Sequence, residues 1–488
     1  MTTTQGSKLN QLKPLSYSVD SESKISIGGI KLEDLAKTHS TPLYILCEDT
    51  IRARARAYKK SFEKNSVDHL VVYASKAMNC LAICKIMEEE GLGLDVVSSG
   101  ELHTALKAKF PTEKIIFHGN NKSAEEIKMC IENKVTIILD NYNDLRLIKE
   151  YLKKEQEAKS LFEKSPDARL ASSEQAELTD ASMMTAKNEC NAAGGALRTG
   201  SDIEIIVRVT PGIECHTHEY IKTGKIDSKF GFKLEDIDSL FAELVTISDI
   251  KIRGLHAHIG SQIFETTPHK DTCKVLLDLY KKLQDKHNIE MPDLNVGGGL
   301  GIKYLESDDP PEIEAWVQII VDAVKKNCEE LGLKIPRILT EPGRSMVGPA
   351  GATLYEVGNI KDIPGVRKYI AVDGGMADNV RPIMYQAECT AELDGKVGSK
   401  DTENVTIAGK YCESGDVLIK DYQLPKAKVD DLLVIYSTGA YNYSMASNYN
   451  RVTKPEMVLV KDGQAHTIVK RETLDDLLRN DVIPTHLQ

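Results

Sequence analysis

Eight short apolar runs, each followed by an amphipathic stretch or a long loop, constrain the fold of this chain more than any other feature. They are Leu70–Lys76, Gly93–Ser98, Ile115–Gly119, Thr136–Asp140, Glu204–Thr210, Ile252–Ile259, Leu294–Gly298 and Arg337–Thr340. Such runs read as buried strands. Between them lie helical patterns at Leu81–Glu90, Gly100–Lys109, Ala124–Asn133, Thr272–His287 and Glu312–Leu331. The alternation predicts an α/β fold, a (β/α)8 TIM barrel, with an open doubly wound sheet as the alternative that yields the same string of elements.

After about residue 352 the pattern changes. Runs at Lys368–Val372, Asn404–Ala408, Leu432–Tyr436 and Met457–Lys461 are separated by turn signals, with few helices until Thr473–Arg479. That is the pattern of an antiparallel β-domain. Ser16–Ile27 also reads as strands and would complete it. The expected division is therefore an N-terminal segment at 1–46 contributing to the β-domain, a barrel at 47–352, and the β-domain at 353–488. One stretch interrupts the barrel. Residues 153–200 contain no Val, Ile, Tyr or Trp and are rich in Lys, Glu, Ser and Ala. So little apolar surface predicts a mobile polar insertion between the fourth helix and the fifth strand.

With 488 residues, 41% hydrophobic and 28% charged, the chain has the make-up of a soluble enzyme with large cores. A net charge of −11 and the lack of a basic, aromatic-laced stripe argue against nucleic acid and anionic membranes as partners. No apolar stretch is long enough to span a bilayer. The start, MTTTQGSKLNQLKPLSYSVD, has neither the apolar core of a secretory signal nor the arginines of a transit peptide. Ten scattered cysteines fit reduced thiols. Cys80 and Cys84 share a helix face, but without a second pair nearby they read as packing residues. The expected compartment is the cytoplasm, or a plastid if the source is a plant or alga.

In a barrel, catalytic groups gather at the C-terminal ends of the strands, and the unusual residues here do so. Lys76 closes the first run. If buried, its amine would have a lowered pKa and become a nucleophile able to form a Schiff base; the alternative is a strand-end lysine reaching out to water. Asp95 lies in the second run. His256 and His258, two apart on the sixth, share a strand face, which suits either a divalent metal with His118 as third ligand or a ring stacked on a planar cofactor. Gly297, Gly298 and Gly299 end the seventh run, where amides can approach a phosphate closely. Glu341, at the end of the eighth, is either paired with Arg344 or faces a pyridine nitrogen. In the β-domain, Cys412-Glu413-Ser414-Gly415-Asp416 puts a thiol among polar residues. The stretches from Asp373 to Tyr385 and from Gly439 to Met445 are Gly-, Tyr- and Arg-bearing loops.

The ordered set YASKA, GLDVVSSGEL, HIGSQ, the glycine triplet, EPGRS, DGGM…RPIMY, CESGD and GAYNYSM resembles the pyridoxal 5'-phosphate-dependent decarboxylases of the alanine-racemase-like fold. Within that fold it is most similar to the branch that converts meso-2,6-diaminopimelate to L-lysine and CO2. The resemblance covers nearly the whole chain outside 153–200 and the first few residues. It implies that Lys76 carries the cofactor as a Schiff base, His258 stacks on its ring and Glu341 faces its ring nitrogen, with Asp95 among the cofactor-contacting residues. Ser261, Gly297 to Gly299, the Gly343–Arg344 turn and Tyr441 would hold the phosphate. Cys412 would return a proton after CO2 leaves. Arg344, Arg381, Tyr385, Glu413 and Tyr441 would bind the substrate. The family implies a homodimer in which Cys412 and Glu413 reach the other subunit's barrel. A substrate with a distal carboxylate suits paired arginines, whereas the lone ammonium met by an ornithine-type decarboxylase does not. Arg344 discriminates less, because its counterpart there serves the phosphate. The remaining rivals are that decarboxylase, a racemase, and a metal-dependent hydrolase.

Overall fold

In the computed structural model, which describes residues 12–163, 203–213 and 228–488, the eight apolar runs form one ring. Its strands are β1 His69–Ala74, β2 Gly93–Val96, β3 Ile115–Phe117, β4 Thr136–Leu139, β5 Ile203–Thr210, β6 Ile250–His256, β7 Asp293–Asn295 and β8 Arg337–Thr340. Each pairs in parallel with the next. Ile338 of β8 then pairs with His69 of β1, so the sheet closes and the open doubly wound alternative falls away.

Closure explains the apolar character of the runs, because both faces of each strand are covered. Val72, Ile116, Ile138, Ile206 and Leu339 form a cluster of their own inside the ring. Their chain neighbours, among them Val71, Tyr73, Ile115 and Ile137, join the large core beneath the helices. The helices bury the matching stripe. That at Ala124–Glu132 starts on a reciprocal cap between Ser123 and Glu126 and buries Ile127, Cys130 and Ile131.

The polar segment departs from expectation in its first part. The helix Tyr142–Glu163 continues into it, supported by charge pairs one turn apart such as Lys153–Glu157. The rest of that segment, 164–200, lies outside the described residues.

A second large sheet is built on β9 Gly351–Ile363, with β10 Arg367–Val372, β11 Thr402–Ala408, β12 Val417–Pro425, β13 Leu432–Tyr436, β14 Glu456–Lys461 and β15 Gln464–Val469. Most pairings are antiparallel. β10 with β11 is parallel, as is Leu43–Cys47 with β14. The early part of the chain enters this sheet through Leu43–Cys47, between β9 and β14, rather than through Ser16–Ile27. Residues Ser18–Val19, Ile25–Ile27 and Ile30–Lys31 make a separate three-stranded sheet. It packs Ile25 and Ile27 against Ile45, Leu354, Val458 and Val460 of the large one. Asp394 fastens it, accepting from the Ile25 N–H at 2.7 Å and from Lys24 Nζ at 3.0 Å. No helix among the described residues is long and apolar enough to cross a membrane.

Candidate active site

A cleft of about 530 Å³ opens where the barrel strands end. Lys76, Asp95, His258, Ser261, Gly299, Glu341, Gly343 and Arg344 line it, with Arg381, Tyr385 and Tyr441 from beyond the barrel.

Of the two readings of Lys76, the exposed one holds. β1 stops at Ala74, and Lys76 sits exposed in the following turn, Ser75–Ala77, where its neighbours take the buried positions. Its side chain lines the cleft. The turn is tightly held. The Ala74 N–H donates to Pro342 O at 3.2 Å, Ser75 Oγ donates to Glu101 at 3.0 Å, and Ala77 O accepts from the Tyr441 N–H at 2.8 Å. Tyr441 takes a left-handed φ of 61° to make that contact, a strain found at sites where backbone placement matters.

Glu341 is buried and receives three N–H donors: Asn295 Nδ2 at 2.6 Å, His118 Nε2 at 2.8 Å and His256 Nε2 at 3.1 Å. Burial pushes its pKa up, but the two imidazoles and their hydrogen bonds outweigh this and hold it well below the usual carboxylate range. Burial lowers His256 to about 4, so its ring is a neutral Nε2–H donor, and its Nδ1 has no partner among the described residues. Asp95, 3.8 Å from His118 Nε2, is pushed up by burial. A Glu341–Arg344 pair, one of the two readings of that motif, does not form.

His256 and His258 do not converge as metal ligands would. His256 addresses Glu341, whereas His258 Nδ1 accepts from the Gly298 N–H at 3.3 Å. Burial, then the cations Lys76 and Arg208, lower His258 well below its ordinary value. His118, His256 and Glu341 lie close enough to hold an ion, but their facing atoms are hydrogen-bonded to each other.

Two amides of the glycine triplet have acceptors within the protein. The Gly297 N–H donates to Asn295 Oδ1 at 3.0 Å and the Gly298 N–H to His258, so only Gly299 faces the cleft. Glycine is demanded here by close approach: a Cβ on Gly298 would lie 2.1 Å from the Glu341 carbonyl oxygen.

Arg344 supplies the cationic end. Its Nε and Nη2 donate to Ser261 Oγ at 3.2 and 3.0 Å, and Nη1 donates to Tyr304 Oη at 2.6 Å. Its guanidinium lies 4.8 Å from the Tyr441 ring centroid, while that of Arg381 lies 4.1 Å from the Tyr304 ring. Cys412 and Glu413 are exposed and do not line this chain's own cleft.

Sequence reasoning missed Asn295, Tyr304 and Arg208. A lone amide inside the seventh apolar run was a usable signal for Asn295. Nothing marked Tyr304. Arg208, buried in β5 with its guanidinium 4.3 Å from the Phe230 ring centroid, interrupts the apolar stretch from Ile205 to Val209 and was as visible as Lys76.

An amine, a buried ionised carboxylate and an arginine–serine pair around one cleft are the donor set a phosphorylated pyridine aldehyde needs. A Cβ on Gly343 would crowd Ala74 Cβ to 3.0 Å, so glycine lets this turn pack closely on the end of β1. Barrel, cleft and donor set define the class of pyridoxal-dependent decarboxylases, whose pyridoxal-binding-domain profile matches residues 48–175 and 174–348. The cofactor is pyridoxal 5'-phosphate. The diaminopimelate decarboxylase of Synechocystis sp. is 43% identical over 485 residues, covering 98% of this chain and 94% of that one. That of Bacillus subtilis is 42% identical, covering 94% and 95%. The crystal structure of diaminopimelate decarboxylase from M. jannaschii in complex with L-lysine superposes with a TM-score of 0.82 at 31% identity, covering 97% and 99%. The chain belongs to the diaminopimelate decarboxylase family.

Proposed function

We propose that this chain removes one carboxylate of meso-2,6-diaminopimelate as CO2 and releases L-lysine, through chemistry centred on Lys76, Glu341 and Arg344. The observation that carries the reading is the convergence of Lys76, Glu341 and the Arg344–Ser261 pair on one cleft. When bound, pyridoxal phosphate supplies an aldehyde for Schiff-base attachment and a ring that accepts the electrons of the breaking carbon–carboxyl bond. Lys76, whose amine lines the cleft, would hold the aldehyde. Glu341, kept ionised by its three donors, meets the ring nitrogen and favours its protonated form. His258, held by the Gly298 amide, offers its flat face to the ring, and Asp95 completes the surrounding polar wall. Arg344, Ser261, Gly299, Gly343 and Tyr441 take the phosphate. Gly297 and Gly298 support this arrangement through Asn295 and His258.

Arg381, supported on Tyr304, grips the distal carboxylate with Tyr385, and Arg344 and Tyr441 close the same end. A paired guanidinium and carboxylate give the distinction from diamine-forming relatives. Cys412 returns the proton and Glu413 meets the distal ammonium, both from a second copy of the chain. Their exposure on the surface supports this assignment, as does the contrast between Cys412 and the other described cysteines, all buried or half-buried. The homodimer is thus part of the proposal, as is action in the cytoplasm.

Borohydride reduction of the holoenzyme followed by peptide mass spectrometry should place one stable adduct on Lys76. An adduct elsewhere would refute its role. CO2 release should be seen with diaminopimelate and not with ornithine, lysine or arginine. Mixing inactive Lys76→Ala and Cys412→Ala chains should recover activity if the thiol acts across subunits, and no recovery would remove that step.

A further inference from the structure

The Asp373-Gly-Gly-Met-Ala-Asp378 stretch has no part in the cleft, yet it is among the most tightly built regions of the second sheet. Its partner is the turn after β11 that carries Cys412 and Glu413. Asp416, buried at the end of that turn, accepts from the Met376 N–H at 2.7 Å and the Tyr411 N–H at 2.9 Å. The backbone adds the Lys410 N–H to Gly374 O at 2.9 Å and the Gly409 N–H to Asp416 O at 3.0 Å. Asp378, also buried, accepts from the Gly375 N–H at 2.8 Å, from Tyr355 Oη at 2.5 Å and from Tyr411 Oη at 3.4 Å. On the other side, the Cys412 N–H donates to Asn450 Oδ1 at 2.9 Å.

Close packing demands glycine at both 374 and 375, and at 375 the crowding comes from the turn itself. A Cβ on Gly375 would fall 2.5 Å from an Asp416 carboxylate oxygen, and one on Gly374 would fall 2.3 Å from the Tyr355 ring. Two buried carboxylates are an expensive way to fix a surface turn, since each must be desolvated before its hydrogen bonds repay the cost. A hairpin that only joined two strands would not need them. The same loop runs on into Arg381–Tyr385, whose arginine and tyrosine line the cleft.

We propose that Asp416 and Asp378 are positioning residues for Cys412, fixing the turn so that its thiol projects at a set height. They touch no substrate. This rests on the reading of Cys412 as the proton donor. Asp416→Asn leaves one acceptor oxygen but turns an amide N–H against a backbone N–H, so the turn loses its anchor. Tyr411→Phe removes only the hydroxyl contact to Asp378.

The test compares the holoenzymes of Asp416→Asn, Cys412→Ala and the double variant, with Tyr411→Phe and its Cys412→Ala double in parallel. Asp416→Asn should lower kcat about tenfold or more, change KM less, and leave the cofactor absorbance band in place. The rate of Cys412 alkylation by iodoacetamide, followed by peptide mass spectrometry, should change several-fold in that variant. On the Cys412→Ala background the same substitution should cost almost nothing, because both act through one thiol. An undiminished kcat with an unchanged alkylation rate would overturn the proposal, as would an equal fold-loss on both backgrounds. If Asp416→Asn does not fold, the Tyr411→Phe pair decides by the same criteria with a smaller loss of about threefold. Wild-type turnover by Cys412→Ala alone would instead overturn the proton-donor reading on which this one rests.

Discussion

Asn295 and Glu341 are joined by a 2.6 Å hydrogen bond that links the ends of β7 and β8 at the base of the cleft. Asn295 spends its other polar atom on the Gly297 amide, so one side chain both charges the carboxylate site and shapes the glycine turn. Replacing it with alanine removes one of three donors to a buried anion, worth about 1.5–3 kcal/mol. Asn295→Ala should therefore lower kcat about tenfold and shift the acid limb of the activity profile to higher pH, as Glu341 becomes easier to protonate. Asn295→Asp should be worse, since it sets a second carboxylate against Glu341. Activity measured across pH checks both.

Gly298 tests the claim that the triplet serves close packing. A Cβ there meets backbone, the Glu341 carbonyl, at 2.1 Å, and backbone cannot swing aside as a flexible side chain can. Gly298→Ala should destabilise the fold by about 3 kcal/mol, seen as a lower urea midpoint with or without cofactor. If the triplet mattered only for phosphate, the apoprotein would be unaffected.

The barrel was legible because its strands are buried on both faces, which writes each one as an unbroken apolar run. Membership of the second sheet was not. Leu43-Tyr-Ile-Leu-Cys47 reads locally like any barrel strand, and its place between β9 and β14 depends on partners about 300 and 400 positions away, beyond any local pattern. The same limit applies to the site. Lys76, Glu341 and Arg344 stood out because charges at the ends of apolar runs are anomalous. Tyr304 did not, although it lies beside both Arg344 and Arg381, because a tyrosine in a loop carries no such signal. The end of β1 was hidden too: a tight turn closing a strand has the same composition as one more residue of strand.

On the reading proposed above, Arg344 is the cation at the phosphate end, and its fork geometry is what Ser261 and Tyr304 hold in place. Lysine keeps the charge but lacks the planar fork that sets separate nitrogens on Ser261 and Tyr304. Arg344→Lys should weaken pyridoxal phosphate binding about tenfold to a hundredfold by equilibrium titration of the apoenzyme. Excess cofactor should restore much of the lost activity. Wild-type cofactor affinity in this variant would place the phosphate elsewhere.

His269 gives a prediction about stability with no chemistry attached. It lies buried in the helix Thr267–His287, its ring edge-on to Trp316 at 5.2 Å, and its Nε2 has no partner among the described residues. Burial alone lowers its pKa to about 4. A folded-state value below the unfolded one means the native protein resists a proton that the unfolded chain accepts. The contribution is complete above about pH 6.5 and is lost as pH falls toward 4, where the loss amounts to about 2–3 kcal/mol. His269→Phe, which keeps the ring and the packing against Trp316, should shed that dependence. Its urea midpoint should fall less than that of the wild type between pH 7 and pH 4.5, and equal falls would show that His269 is not among the groups that set acid sensitivity.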